Sequence, residues 1–283
     1  MHIGITAPLP PEPPAVVPDP ALLAAEAERL GFESYWHQEH IVSPVMHVGR
    51  EPNYFPSGHV AGYVDPLISL ARASGATSRI KLGTSVIIMP ERHPIALAKE
   101  TATLDLFSGG RLLLGVGTGW LEPEMRIMGG DFARRWAQTR ESIEVLKKLW
   151  TLTEAEHHGE FYNFPPVRSE PKPLQRPHPP VLLGSTTTER ALDRVAQVAD
   201  GWVPHSVTPE QVAWGKRTLV RLAAAAGRDP ARIEISAFVQ KADAALARQF
   251  RDAGAARLVI IAAHTGSADA ALEQYRAIAS ELL

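Results

Sequence analysis

Residues 80–117 read "IKLGTSVIIMPERHPIALAKETATLDLFSGGRLLLGVG" and contain one complete unit of the pattern that decides the fold. A β-branched run over residues 80–88 is followed by an Ala- and Leu-rich stretch over 94–107, and a second apolar run covers 112–117. Two short apolar runs separated by a helical stretch predict two parallel strands joined by a crossover helix. Pro94, a residue type favoured at the first helical position, marks where that helix should begin.

The same unit repeats along the whole chain. The predicted strands cover residues 2–6, 33–37, 80–88, 112–117, 180–184, 200–204, 233–239 and 257–262. The predicted helices cover residues 19–30, 65–76, 94–107, 133–150, 187–198, 209–226, 241–252 and 268–281. An open sheet seldom keeps this alternation through eight strand–helix pairs. The sequence therefore predicts an α/β fold, a closed (β/α)8 TIM barrel with insertion loops, as a single domain over residues 1–283.

Two long stretches interrupt the regular alternation. Residues 38–64 follow the second predicted strand, residues 152–179 precede the fifth, and both are rich in Pro and Gly. Connections of this length are usually functional insertions. Because barrel enzymes build active sites where strands end, residues 38–64 are predicted to form a lid, and residues 152–179 an insertion arm that wraps the barrel.

Composition narrows the class of partner. The formal net charge is −2 and the basic residues are scattered, so binding to nucleic acid or to a membrane surface has no electrostatic support. The absence of cysteine excludes disulfides, thiolate nucleophiles and zinc–sulfur sites. The chain has no apolar run of about 18 residues and does not begin with a signal-peptide pattern. These features favour a cytoplasmic protein that acts on a small molecule.

A ladder of glycines, Gly115, Gly117 and Gly119, ends the fourth predicted strand ahead of Trp120. The dinucleotide-binding pattern G-x-G-x-x-G requires glycine at position 120, so this ladder is a different feature. Glycines here either let a flat ligand approach the backbone or allow close packing against a neighbouring loop. The glycines alone leave both interpretations open.

The second predicted strand ends in "WHQEH", residues 36–40, the densest polar group on any strand end. A metal site is disfavoured, because the spacing is not H-E-x-x-H and no cysteine pair follows. His37 and His40 would also face opposite sides of a continuing strand. His40 is the candidate for exchanging a proton with a ligand, whereas His37 is interpreted as structural.

A Gly-Ser-Thr turn follows the fifth predicted strand in "VLLGSTTTER", residues 181–190. Backbone N–H groups at the start of the next helix, beside the hydroxyls of Ser185 and Thr186, suit an anion such as phosphate. Ordinary N-capping of that helix explains the same residues without a ligand. Its position on the same barrel face as the glycine ladder favours the anion site.

Taken together, these motifs resemble the bacterial luciferase-like monooxygenase superfamily, and within it the branch of coenzyme F420-dependent oxidoreductases. The likeness rests on "GFESYWHQEH", on residues 82–120 and on "RPHPPVLLGSTTTERALDRVAQVADGW". It implies a homodimeric barrel that holds a flavin or deazaflavin across its carboxyl-terminal face. It also implies roles for particular residues: a non-prolyl cis peptide behind the ring at Ser85–Val86, a catalytic acid–His pair at Glu39 and His40, cofactor contacts at Thr118 and Gly119, and a phosphate turn at Gly184, Ser185 and Thr186.

Two departures from the family pattern shape the expected activity. Glu39 replaces the usual Asp and is one methylene longer, and Trp120 stands where the sugar-phosphate dehydrogenases of this branch carry a catalytic Glu. The resemblance without that Glu implies an F420-dependent oxidoreductase acting on another small organic substrate. The alternatives are an FMN-dependent monooxygenase supplied by a separate reductase and a non-catalytic cofactor-binding paralogue. The apolar substrate wall is expected from Trp120, Tyr54, Phe55 and Met46.

Overall fold

The structure is a computed structural model, and it describes residues 1–9, 17–44 and 62–283. The strands in this part of the chain are β1 (His2–Thr6), β2 (Ser34–His37), β3 (Lys81–Thr84), β4 (Ile87–Ile88), β5 (Leu112–Gly117), β6 (Ala155–His158), β7 (Asn163–Val167), β8 (Val181–Gly184), β9 (Gly201–Val203), β10 (Glu234–Val239) and β11 (Arg257–Ile260). The helices are α1 (Pro20–Leu30), α2 (Pro66–Gly75), α3 (Pro94–Phe107), α4 (Glu122–Ile127), α5 (Arg135–Thr151), α6 (Glu189–Val198), α7 (Pro209–Ala225), α8 (Ala244–Ala253) and α9 (Ala268–Leu282). Short 3₁₀ turns cover Met89–Glu91 and Pro230–Arg232.

The parallel strands close into a barrel. The sheet order is β3-β2-β1-β11-β10-β9-β8-β5-β4, and β3 also pairs with β5, which joins the two ends of the sheet. β3 and β4 together occupy the position of the third predicted strand, so the barrel has the eight strand positions expected from the sequence. The predicted TIM-barrel fold is confirmed.

The third strand position is interrupted, and this interruption explains the glycine ladder. The peptide bond between Ser85 and Val86 is cis, as the family resemblance implied, and it separates β3 from β4. A Cβ atom on Gly115 would lie 1.9 Å from the carbonyl oxygen of Thr84, and one on Gly117 would lie 2.5 Å from Cγ2 of Val86. These two glycines therefore make room for the interrupted neighbouring strand, which favours the packing interpretation over direct approach of a ligand to the backbone.

Trp36 of β2 fills part of the barrel interior. It is fully buried, and a Cβ atom on Gly83 would lie 2.1 Å from its ring, so β3 needs glycine at that position. The buried side chains packed together inside the barrel come from different strands: Trp36, Leu113, Leu182, Val203, Phe238 and Val259. The edge of the Trp36 ring meets Phe238 with 5.2 Å between centroids. The interior is thus a packed core, and a ligand has room only at its ends.

The helices pack their apolar sides on the outside of the barrel and begin at recognisable caps. Asp19 caps α1 and Asp65 caps α2, and Thr208 with Gln211 forms a capping box at the start of α7. The observed bounds of the eight predicted helices differ from the sequence prediction by three residues or fewer.

Two observed features were not predicted. α4 follows Trp120, and the antiparallel pair β6–β7 lies within the predicted insertion arm. Glu141 of α5 accepts hydrogen bonds from the backbone N–H groups of residues 160, 161 and 162, which fixes the turn of this hairpin against α5.

Candidate active site

The carboxyl-terminal end of the barrel brings together most of the predicted site residues. His40 and Glu39 follow β2, Ser85 and Val86 separate β3 from β4, and Thr118 and Gly119 follow β5. Gly184 ends β8, and Ser185 and Thr186 come next. In a parallel barrel all these strand ends lie on one face, so four segments of the chain that are distant in sequence border one mouth.

His40 is held by a partner that the sequence prediction missed. Its Nδ1 lies 2.5 Å from Oε2 of Glu124 on α4, and this carboxylate is fully buried. Oε1 of Glu124 also accepts the backbone N–H groups of Ile41 at 2.7 Å and Val42 at 3.2 Å. Glu124 therefore fixes both the imidazole and the chain that leaves it. The contact spans 84 residues, and no local pattern in the sequence predicts it.

Aromatic rings border the imidazole of His40 on two sides. The centroid of Tyr63 lies 4.8 Å away and that of Trp120 lies 5.6 Å away, both in edge-to-face geometry. The Trp120 side chain is 40 % exposed, so it forms part of the open surface of the mouth. Of the four residues predicted to form the substrate wall, the structure describes Trp120. Met46, Tyr54 and Phe55 lie outside the described residues.

Glu39 is buried and joins three segments of the chain. Its Oε2 accepts the backbone N–H of Ile88 at 2.7 Å, and its Oε1 accepts Nε of Arg92 at 2.8 Å. Arg92 also donates to Asp65 at 2.6 Å. Burial raises the pKa of Glu39, while Arg92 and the Ile88 N–H act in the opposite direction. These contacts make Glu39 a positioning residue that ties the end of β2 to β4, and its catalytic role stays a prediction.

Arg92 lies on the loop between β4 and α3, and it forms ion pairs with Glu39 and Asp65. Burial opposes its charge, but Glu39 and Asp65 outweigh burial and raise the pKa of Arg92. His37 is fully enclosed and lies 3.2 Å from the hydroxyl of Tyr35. Burial lowers the pKa of His37 to about 4, so the ring is neutral at physiological pH, in agreement with its interpretation as structural.

The predicted phosphate turn lies just ahead of a helix that is already capped. α6 begins at Glu189, two residues later than predicted, and Thr188 accepts the N–H of Ala191 as its N-cap. Capping therefore does not occupy Ser185, whose buried Oγ makes no hydrogen bond within the described residues. Oγ of Ser85 is also buried and also makes no hydrogen bond within the described residues. Two buried hydroxyl groups at strand ends, with no partner in the described part of the chain, suit a bound polar group.

His205 is a further residue at the mouth that the sequence prediction did not select. It lies two residues beyond Val203, which points into the barrel, and its exposed ring stacks on Phe238 with 4.6 Å between centroids. The period of two in "WVPH" is the signal that would have placed this side chain above the core.

The family match spans almost the whole chain. Residues 8–282 match the family model described as luciferase-like monooxygenase. The chain belongs to this family. Within the luciferase-like monooxygenase family, an uncharacterized protein of Mycobacterium tuberculosis is 41% identical over 216 residues, which cover 74% of this chain and 75% of that protein.

Two further proteins whose names give a cofactor are similar to this chain. The FMNH2-dependent dimethylsulfone monooxygenase of Pseudomonas putida is 31% identical to this luciferase-like chain over 221 residues, which cover 77% of the chain and 56% of that enzyme. A solved F420-dependent secondary alcohol dehydrogenase, in complex with an F420–acetone adduct, aligns with a TM-score of 0.76 at 16% identity, over 98% of this chain and 97% of that one. At that identity the second match shows the shared fold alone.

Proposed function

We propose that this chain is an oxidoreductase that transfers a hydride between bound coenzyme F420 and a small organic substrate. The pair formed by His40 and Glu124 supports this proposal most directly. Hydride transfer between carbon atoms of a carbonyl or alcohol substrate and a cofactor changes the protonation of the substrate oxygen. A histidine oriented by a buried carboxylate at the mouth is suited to give or take that proton.

The residues around the mouth fit a cofactor of this shape. The deazaflavin, when bound, supplies or accepts the hydride. In the proposed complex, the Ser85–Val86 segment supports the flat ring, and Thr118 with Gly119 contacts it from the end of β5. Gly184, Ser185 and Thr186 bind a phosphate of the cofactor through backbone N–H groups and hydroxyls. The unbonded Oγ atoms of Ser85 and Ser185 are the observation on which this fit depends.

Substrate binding is assigned to the surface next to His40. Trp120 presents an exposed aromatic ring 5.6 Å from the imidazole, and this ring excludes water from one side of the reacting groups. Trp120 cannot act as a general acid, so in the proposed reaction His40 is the residue that gives or takes the proton. Glu124 keeps the imidazole in one orientation, and Glu39 fixes the chain segment that carries it.

A second candidate function is that of an FMN-dependent monooxygenase supplied with reduced flavin by a separate reductase. The observation that favours it is the 31% identity to the FMNH2-dependent dimethylsulfone monooxygenase over 77% of the chain. The same phosphate turn and ring support serve both cofactors, so this candidate differs from the first in chemistry rather than in the position of the bound group.

Titration of the purified protein with F420 and with FMN, followed by cofactor fluorescence, tests the proposal. We expect saturable F420 binding that is at least about tenfold tighter than FMN binding, which corresponds to about 1.4 kcal/mol. Tight FMN binding without measurable F420 binding would replace the first candidate by the monooxygenase.

A pair of hydroxyl deletions tests the position of the phosphate. Ser185→Ala removes an unbonded buried hydroxyl that follows β8, and Thr139→Val removes an unbonded buried hydroxyl within α5. We expect the first variant to weaken cofactor binding by about 10- to 150-fold, as for a lost hydrogen bond to a charged group, and the second to leave it unchanged. Equal affinities in the two variants would remove Ser185 from the phosphate site.

A further inference from the structure

Glu91 is a buried acid next to the site to which the proposed function gives no role. It ends the 3₁₀ turn Met89–Glu91 directly after β4, and only 7% of the residue is exposed. Its Oε2 is buried and makes no hydrogen bond within the described residues. Its Oε1 lies 3.9 Å from the position that a Cβ atom on Gly119 would occupy, which places the carboxyl group against the end of the glycine ladder.

The charged groups that act on Glu91 are mostly negative. Glu124 of α4 and Glu39 after β2 both disfavour its ionisation, and Arg92 is the cation that favours it. Arg92 is already paired with Glu39 and Asp65, so its charge is largely compensated. Burial, Glu124 and Glu39 together raise the pKa of Glu91 to about 8, against the influence of Arg92.

The hydrogen bonds distinguish the two neighbouring carboxyl groups. Glu124 accepts from His40, from the N–H of Ile41 and from the N–H of Val42. Oε2 of Glu91 has no hydrogen-bond donor in the described part of the chain. When two nearby carboxyl groups cannot both ionise at low cost, the proton remains on the one with fewer donors, which is Glu91.

A purely structural role explains this residue poorly. A buried acid without a hydrogen-bond partner destabilises the folded chain, and an apolar residue of similar size would avoid that cost. We propose that Glu91 is a proton-holding positioning residue of the site: it stays uncharged at neutral pH, so that it adds no second negative charge beside the Glu124–His40 pair. The importance of this role for turnover rests on the proposed function, whereas the protonation states do not.

Carbon-13 NMR of glutamate-labelled protein, without any cofactor, tests the protonation of Glu91 directly. We expect one carboxyl resonance to titrate near pH 8 in the wild-type protein and to be absent in Glu91→Gln. The matched control is Glu122→Gln, which removes a half-exposed acid from the same helix as Glu124 and should retain the resonance. A wild-type protein in which every glutamate titrates below about pH 6 would overturn the proposal, even if Glu91→Gln fails to fold.

Nitrogen-15 NMR of the His40 ring tests the link to the site. We expect its resonances to shift in a step near pH 8 in the wild type and in Glu122→Gln, and to show no such step in Glu91→Gln. A step that persists in Glu91→Gln would show that Glu91 does not act on His40. Because neither spectrum involves F420 or FMN, failure of the cofactor proposal leaves both results unaffected.

Thermal unfolding supplies an independent check with a defined sign. The pKa of Glu91 is raised to about 8 in the folded protein, whereas that of an unfolded glutamate is about 4.3. The free energy of unfolding of the wild type is therefore lowered progressively as the pH rises from about 4.3 to about 8. Glutamine does not titrate. The melting temperature of Glu91→Gln minus that of the wild type should therefore increase between about pH 5 and pH 8 and then become constant. A difference that is independent of pH would contradict the proposal.

Discussion

The two ends of the barrel use buried polar groups in opposite ways. At the amino-terminal end, Arg257 of β11 donates to both oxygens of Glu33 at 2.7 Å and to Oγ of Ser236 at 2.9 Å. At the carboxyl-terminal end, Ser85, Glu91 and Ser185 supply three of the four buried side-chain atoms without a hydrogen bond among the described residues. The carboxyl-terminal end also contains bonded groups such as Glu39 and Glu124, but the unbonded atoms concentrated there indicate that this end serves binding as well as stability.

The difference shows where stability and function can be separated experimentally. Buried polar groups that bond each other contribute to folding, and their loss leaves an unpaired partner. Buried polar groups without partners lower the stability of the fold, and their persistence indicates a ligand or a proton held there. Substitutions at the two ends should therefore have opposite consequences.

The largest effect on stability is expected at the amino-terminal end. Arg257→Met should lower the free energy of unfolding by about 3 to 5 kcal/mol, because Glu33 would lose its partner in a largely buried position. Arg276→Met is the matched control, since Arg276 is 57 % exposed in its pair with Glu26 and should contribute little. Denaturant titration of both variants measures the difference, and equal midpoints would remove the distinction between the two ends.

The corresponding substitution at the mouth should affect turnover instead. His40→Gln keeps an N–H donor for Glu124 but cannot exchange a proton, so turnover of cofactor-loaded protein should fall by about 10²- to 10⁴-fold. The melting temperature should remain close to that of the wild type, because the hydrogen bond to the buried carboxylate is kept. A large loss of stability with full activity per folded molecule would return His40 to a structural role.

The alternation of apolar runs and helical stretches made the fold predictable, and the same information could not predict the site in full. Short β-branched runs located the eight strand positions, Ala- and Leu-rich stretches located the helices between them, and Pro94 marked the start of α3. The family motifs located the Ser85–Val86 peptide. By contrast, the His40–Glu124 and Glu39–Arg92 contacts join residues 84 and 53 positions apart, so they depend on how the strands and loops meet in space.

The sequence located the glycine ladder but did not decide between packing and ligand binding as its role. Substitution of these glycines tests the packing explanation directly. Gly115→Ala would place a Cβ atom 1.9 Å from the carbonyl oxygen of Thr84, so the backbone has to move, at a cost of at least about 1 to 3 kcal/mol. Gly75→Ala is the control, because a Cβ there meets nothing within 4 Å and alanine favours the helix by about 0.5 to 1 kcal/mol. Chemical denaturation should show opposite signs for the two variants, whereas equal losses would contradict the packing explanation.

The smallest effect is expected at His205, a residue that can contribute both to packing and to ligand binding. The ring stacks on Phe238, so it contributes to packing, and it is also exposed, so its nitrogen atoms can bond a ligand. His205→Phe keeps the stacking and removes the nitrogens. We expect an unchanged melting temperature and cofactor affinity lower by about 2- to 10-fold, the range for one neutral hydrogen bond. Fluorescence titration with F420 and with FMN measures that affinity. Unchanged affinity for both cofactors together with a lower melting temperature would show that His205 only covers Phe238 and belongs to the stabilising part of the barrel.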